Sequence, residues 1–399
     1  MRIVCEKKDF LEGVQVVQNA LTSTALPILS YILLEAEEGR VNLTGTNLET
    51  TIQSSFAAHI EEDFEGHIEK KGEICLPGDK IFAILRELPY SKVNLEIEET
   101  KATIKCENST FQLLGFPSKE FPGVPQLEEG KVFSLPQRKF RQMIQRTIFA
   151  ASRDETRQNL RGVYFEIGGK EVRMVATDGR RLAFTRNPLA SLNILSMGVI
   201  IPLQALQQLV RVLGEEKEVK IGVSERQIFF QMDSILLVSQ LIEAEFPGYR
   251  RIIPTEFKVA ILADKDDLLR SIRRVSLLAD EKSHLLRFKL KKNTLLISAN
   301  APEAGYAYEE LAVRREGEEE MEIGFSSAYL LDIFKNLGEG EVRLELTDSE
   351  KPGVIRPGKD KNYVCVIMPI RLKEEEEEAE EEKTEETEET EETEEMSKE

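Results

Sequence analysis

Seven basic side chains fall on two stretches of helical periodicity: Arg138, Lys139, Arg141 and Arg146 on one, Arg270, Arg273 and Arg274 on the other. Guanidinium and ammonium groups clustered in this way suit sequence-independent, salt-sensitive contact with backbone phosphates. The plainer alternative is a solvated helix face, or partners for nearby Asp and Glu, and the cluster argues more than any one member. Catalytic chemistry has less support. There is no Gly-rich phosphate loop with a Lys and no dinucleotide fingerprint, and His59, His67 and His284 lack partners at metal-ligand spacing. Cys5, Cys75, Cys106 and Cys365 are scattered singly and read as reduced, mostly buried thiols. Carboxylates are too abundant for any pair to be informative. The sequence therefore predicts no enzyme, no metal and no cofactor.

The elements that would carry the arginines repeat three times. A strand-like opening leads into an amphipathic helix at Ile3-Val4-Cys5 with Phe10, Val14 and Val17, at 131–135 with Phe140, Ile144 and Ile148, and at 258–262 with Leu268, Ile272 and Val275. A second helix is expected at 76–88, 201–213 and 325–337. Pro77 and Pro202 suit its first turn, Ser326 or Ser327 can cap the third copy, and Gly214 and Gly338 read as stops. Each copy closes alike, with Glu120-Phe121-Pro122-Gly123, Glu245-Phe246-Pro247-Gly248 and Met368-Pro369-Ile370. Between the helices lie alternating segments such as 162–167, 171–176 and 182–185, with Gly168-Gly169 and Asp178-Gly179 as tight turns. Any one pair could match by chance. Three landmark types in one order make an α+β chain of three tandem copies, each a sheet with two helices.

A chain of 399 residues has room for two to four domains. The limits read as 1–127, 128–254 and 255–372, followed by an acidic tail over 373–399. That tail holds seventeen Glu and three Lys, or −14 of the net −19, so the body carries only −5. The six helical stretches sum to +6, which leaves −11 elsewhere. Positive charge on helices of an otherwise acidic body fits a surface that meets DNA. The tail should be disordered, and either solubilising or an electrostatic competitor of acidic partners or DNA at its edge of the protein. No apolar run approaches the roughly 18 residues needed to cross a bilayer, and no secretory leader is evident, so the expected location is the cytoplasm.

Three motifs then carry a family resemblance: Ala176-Thr177-Asp178-Gly179-Arg180-Arg181-Leu182, the run from Glu245 to Pro254, and Tyr363 to Leu372. The chain resembles the bacterial sliding clamp, the beta subunit of DNA polymerase III, from Met1 to Leu372. The resemblance implies a head-to-tail homodimer of three-domain subunits, closed into a ring whose helices line a hole around double-stranded DNA. It also implies a pocket for short peptide motifs of the replicative polymerase, the clamp loader and other clamp-binding proteins. The matching positions are Leu160, Thr177, Arg180, Arg181, Leu182, Pro247, Arg251, Ile252, Val366, Met368, Pro369 and Ile370. For the dimer seam it points to Phe111 and to Leu277-Leu278. Arg180 stands where relatives often have His, the loop Thr22-Ser23-Thr24 is uncharged where relatives are often basic, and relatives commonly end before the tail. Taken singly, the Leu, Val and Ile of the pocket set are more often plain core. Two other readings are a three-repeat peptide-binding scaffold that never encircles DNA, and an enzyme using two of the many carboxylates, which has no positioned nucleophile behind it.

Overall fold

A computed structural model describes residues 2–22, 26–37, 39–61, 72–89, 91–124, 131–189 and 196–372. The acidic tail, His67, Ser23, Thr24 and the 127/128 domain limit lie outside the described residues.

Six helices stand where the periodicity requires them: α1 (Lys7–Val17), α2 (Gly78–Glu87), α3 (Gln137–Ile148), α4 (Leu203–Val212), α5 (Lys265–Val275) and α6 (Ser327–Asn336). Phe10, Val14, Val17, Phe140, Ile144, Leu268, Ile272 and Val275 are all buried, which is the apolar stripe each first helix needs. Ile148, at the end of α3, is only half-buried.

Strand pairing makes each repeat a closed unit of design. The strand entering the first helix pairs with the strand leaving the second: Arg2–Glu6 with Lys92–Glu98, Lys131–Pro136 with Glu218–Val223, and Val259–Asp264 with Glu341–Leu346. The strand entering the second helix pairs with the first strand after the first helix: Gly72–Pro77 with Tyr31–Glu37, Met197–Pro202 with Gly162–Gly168, and Met321–Ser326 with Leu285–Lys291. Both ends of a helix pair are thus held by strands distant in sequence, and α1 packs on α2, α3 on α4, α5 on α6.

The second helices depart from expectation at their ends. Each has ten residues rather than thirteen, because Pro77, Pro202 and Ser326 are the last residues of the preceding strands and serve as extended N-caps. A proline there gives up an N–H that the strand edge does not use. Ser326 makes no side-chain capping bond. Gly214 and Gly338 are not the stops: Leu88, Leu213 and Leu337 turn the chain extended one residue earlier and bury their side chains. Only α5 has a side-chain cap, with Asp264 accepting from the N–H groups of Asp266 (2.9 Å) and Asp267 (3.1 Å).

The Asp178-Gly179 turn needs its glycine, which has φ 87°. At the matching turn of the first repeat Leu48 takes φ 76°, and Asn47 Oδ1 offsets that strain by accepting from the N–H groups of Glu49 (3.1 Å) and Thr50 (2.7 Å).

Contacts group the chain into two units, Met1–Asp178 with Thr185–Pro247, and Gly179–Phe184 with Gly248–Glu399. Within the first, Ile235–Gln240 of the second repeat pairs with Thr50–Ala57 of the first, joining two repeats in one eight-stranded sheet. Gln208 and Arg211 of α4 also donate to Asn19, to its carbonyl at 2.8 Å and its Oδ1 at 2.9 Å. Within the second, Tyr363–Ile367, Gly353–Pro357, Glu341–Leu346, Val259–Asp264 and Arg314–Glu316 lie side by side in that order.

The core under α3 is aromatic: the Phe140 ring lies 5.9 Å from Phe165 and 5.7 Å from Phe230. Phe140→Ala should cost about 3 to 5 kcal/mol by leaving a cavity between sheet and helix. A urea titration followed by circular dichroism checks it, with Val132→Ala, at an exposed strand position, shifting the midpoint little.

Candidate functional site

Nine of the twelve expected pocket residues belong to the second unit, including Arg180, Arg181 and Leu182, although these three lie within the sequence of the second repeat. The segment is held there by named contacts. The Met368 N–H donates to the Arg180 carbonyl at 2.8 Å. Arg181 is nearly buried: its Nη1 donates to Asp332 Oδ2 at 2.8 Å, and its guanidinium lies 4.6 Å from the Tyr329 ring centroid. Phe184 stacks on Tyr249 at 5.9 Å. The Ile370 N–H donates to the Gly324 carbonyl at 2.8 Å, which fixes the C-terminal strand end against the strand before α6.

Burial sorts this group in two. Leu182 and Val366 are core, 2% and 1% exposed, so they back a surface rather than form it. Arg180, Arg251, Ile252 and Met368 are exposed, and Pro369 and Ile370 half-buried. Exposed apolar groups and two exposed cations in one unit are what a peptide bearing apolar anchors and acidic groups would need. Asp332 and Tyr329, three residues apart on α6, are the contacts that sequence reasoning missed. Their spacing places both on one helix face, but nothing local shows that Arg181 would reach them.

In the first unit, Leu160 closes a 3-10 turn and accepts from the Ser152 N–H at 2.9 Å. Asn159 Nδ2 donates to the Glu245 carbonyl at 3.4 Å, and Phe246, beside Pro247, stacks on Tyr164 at 5.0 Å. Leu160 and Thr177 are buried and Pro247 half-buried. Arg157 donates to the Asp178 carbonyl at 3.2 Å, at the entry to the Asp-Gly turn.

The expected phosphate-facing groups are divided differently. On α3, Arg138 and Lys139 are exposed while Arg141 and Arg146 are half-buried. The loop after α4 lies over the first turn of α3: the Gln137 N–H donates to the Lys217 carbonyl at 2.7 Å, and its Nε2 to the Glu218 carbonyl at 3.1 Å. Arg141 donates to Glu215 Oε1 at 2.6 Å and to the Leu213 carbonyl, while Arg138 Nε lies 3.7 Å from Glu215 Oε2. On α5, Arg270 pairs with Asp267. Arg274 donates from Nε to Glu309 Oε2 at 2.9 Å and makes a second bond to Oε1, which also accepts from Ser271 Oγ at 2.7 Å. Those bonds, Arg274 first, hold the Glu309 carboxyl below its ordinary range. Lys139 and Arg273 are exposed and, among the described residues, in no ion pair.

Phe111 and Leu277 are exposed, Leu277 at 81%, and Leu278 is half-buried. Each has company that the sequence did not single out. Phe111 shares the edge strand Ser109–Leu114 with Leu114, 73% exposed. In the other unit the edge strand Gly305–Ala312 carries Tyr306 and Tyr308, exposed and stacked at 5.8 Å. Uncovered apolar edge strands are association surfaces unless something pairs with them. All four cysteines are free and buried, and burial pushes the thiols of Cys5 and Cys75 up to about 12, which removes them as nucleophiles.

Three family models match the chain in order: DNA polymerase III beta subunit, N-terminal domain over residues 1–125, central domain over 134–248 and C-terminal domain over 250–371. The beta sliding clamp of Bacillus subtilis (strain 168) is 32% identical over 377 residues, covering 93% of this chain and all of that one. The beta sliding clamp of Escherichia coli (strain K12) is likewise 32% identical, over 375 residues, with the same coverage. A crystal structure of the DNA polymerase III subunit beta from Pseudomonas aeruginosa superposes with a TM-score of 0.87 at 31% identity, again over 93% of this chain and all of that one.

Asp332→Ala should release the Arg181 guanidinium and cost about 1 kcal/mol of stability, a charge-assisted bond at a partly exposed site. Denaturant titration checks it; an unchanged midpoint would mean that stacking on Tyr329 is enough to hold Arg181.

Proposed function

Since the chain belongs to the DNA polymerase III beta subunit family, the beta sliding clamps of bacterial replication, we infer that it holds the replicative polymerase on double-stranded DNA by topology rather than by grip. It is a processivity factor and not an enzyme. The observation that carries the reading is the threefold strand and helix repeat, matched domain by domain along the family models. In a head-to-tail homodimeric ring around the duplex, phosphate contacts need only be weak and sequence-blind, because leaving requires opening the ring.

We propose Arg138, Lys139, Arg141, Arg146, Arg270, Arg273 and Arg274 as the duplex-facing set. Support is uneven: Lys139 and Arg273 have the freest charge, while Arg141 and Arg274 are tied to carboxylates. The partner-peptide pocket is proposed at the twelve matched residues. Of these, Arg180, Arg251, Ile252, Met368, Pro369 and Ile370 are the accessible groups of the second unit, with Leu182 and Val366 buried in it, while Leu160 and Thr177 are buried and Pro247 half-buried in the first. Polymerase, clamp loader and other clamp-binding-motif proteins would share that pocket. The domain limits proposed are 1–127, 128–254 and 255–372, with 373–399 as a tail. Among the described residues no helix is long and apolar enough to cross a membrane, and the cytoplasm, where a bacterial chromosome is copied, is the proposed location.

For the dimer seam we propose Phe111 on one edge strand against Leu277 and Leu278 of a second copy. Tyr306 and Tyr308 on the opposing edge extend the seam by strand-to-strand pairing. Leu277→Asp should halve the mass seen by sedimentation equilibrium while leaving the circular dichroism spectrum unchanged; an unaltered mass would remove Leu277 from the seam.

The function itself is tested by loading the clamp onto circular or linearised duplex, removing the loader and raising the salt to suppress phosphate contacts. Retention on circles with escape from linear ends is the expected result. Equal loss from both would leave a peptide-binding scaffold that does not encircle DNA.

A further inference from the structure

The face of α3 that carries the basic cluster is not bare. Arg138, Lys139, Arg141, Gln142, Gln145 and Glu215 line a cleft of about 500 Å³. Five of the six are donors suited to an anion, and the sixth is a carboxylate that sits on two of them. Glu215 comes from the loop after α4, and its two oxygens address different arginines, Oε1 the Arg141 Nη1 at 2.6 Å and Oε2 the Arg138 Nε at 3.7 Å. That is how one phosphate with two free oxygens would address them.

Two details make the cleft look built rather than incidental. The loop bearing Glu215 is pinned by Gln137, itself buried, through the Lys217 and Glu218 backbone carbonyls and the Gly214 N–H. Arg141 is anchored independently by the Leu213 carbonyl, and its buried Nε has no hydrogen-bond partner, so the guanidinium is under-satisfied even with Glu215 in place. Arg138 and Glu215 remain more than half exposed, so their contact exchanges readily with solvent.

Resting on the reading that this face of α3 meets the duplex, we propose that Glu215 is an intramolecular stand-in for backbone phosphate. It occupies Arg138 and Arg141 whenever no phosphate is in the cleft and is displaced as the DNA moves past. Each phosphate then exchanges one anionic partner for another instead of filling an empty cationic site. That lowers the net gain per contact and keeps the clamp mobile.

The test is equilibrium binding of the full-length protein, without loader, to a short blunt fluorescent duplex over a series of salt concentrations. Glu215→Gln should bind about three-fold tighter near 0.1 M salt, with a log–log salt slope steeper by about 1. Glu216→Gln removes the same charge next door, from an exposed residue not placed on either arginine, and should change affinity distinctly less. The gain from Glu215→Gln should also shrink in an Arg138→Gln background. If Glu215→Gln and Glu216→Gln behave alike, only net charge is involved and the stand-in role is overturned. Lys139→Gln reads the underlying premise: if it leaves affinity and slope unchanged, α3 does not face the duplex and the proposal falls with that reading.

Discussion

Each repeat depends on burying one apolar stripe, that of its first helix. Phe10, Phe140 and Leu268 occupy the same place in the three copies and are almost wholly excluded from water, on sheets whose strands come from both sides of the helix pair in sequence. A fully buried side chain of that size is worth about 1.5–3 kcal/mol against exposure, so the rotation of each helix about its axis is fixed by its core residues. Everything on the far face follows. Arg138, Lys139, Gln142 and Gln145 point outward because Phe140, Met143, Ile144 and Thr147 point in. The outward face can therefore carry charge without disturbing the core.

That separation explains which parts of the molecule were legible in the sequence. Helix positions and strand alternation are short-range patterns with physical periods, and all six helices stand where the pattern places them. The second helices start two residues later and end one residue earlier than periodicity places them. Leu76-Pro77 and Ile201-Pro202 are apolar both as strand ends and as first helical turns, and periodicity cannot separate the two. Long-range pairings left no local trace. Arg141 and Glu215 are 74 positions apart, Arg274 and Glu309 are 35, and Arg181 and Asp332 are 151. Charge counting gave the sign of the helix faces but not how many of their cations were already engaged.

The pocket set shows a related limit. Resemblance placed Leu182 and Val366 among the groups that would receive a peptide, yet both are enclosed in the core. In the proposed pocket they would brace the neighbouring segments, which are joined by the bond between the Met368 N–H and the Arg180 carbonyl. A motif match identifies a segment, and burial then decides which of its side chains meet a ligand and which support it.

Engaged cations bear on how a ring of this kind handles DNA. If topology retains the duplex, affinity beyond what guides it is a cost, because each tight phosphate contact must break before the ring advances. On the proposed duplex-facing set, carboxylates at the feet of the arginines would reduce that cost without removing the positive charge. Asp267, Glu215 and Glu309 each sit on an arginine of a first helix, yet they reach it from three different elements: α5 itself, the loop after α4 and the edge strand Gly305–Ala312. The repeat supplies no common position for them, so each contact depends on a different element of the shared scaffold. Glu309 goes further by accepting from buried Ser271 as well, which ties the outward face of α5 to the edge strand that carries Tyr306 and Tyr308. In the third repeat the same carboxylate thus links the cation face to the strand proposed to meet a second copy.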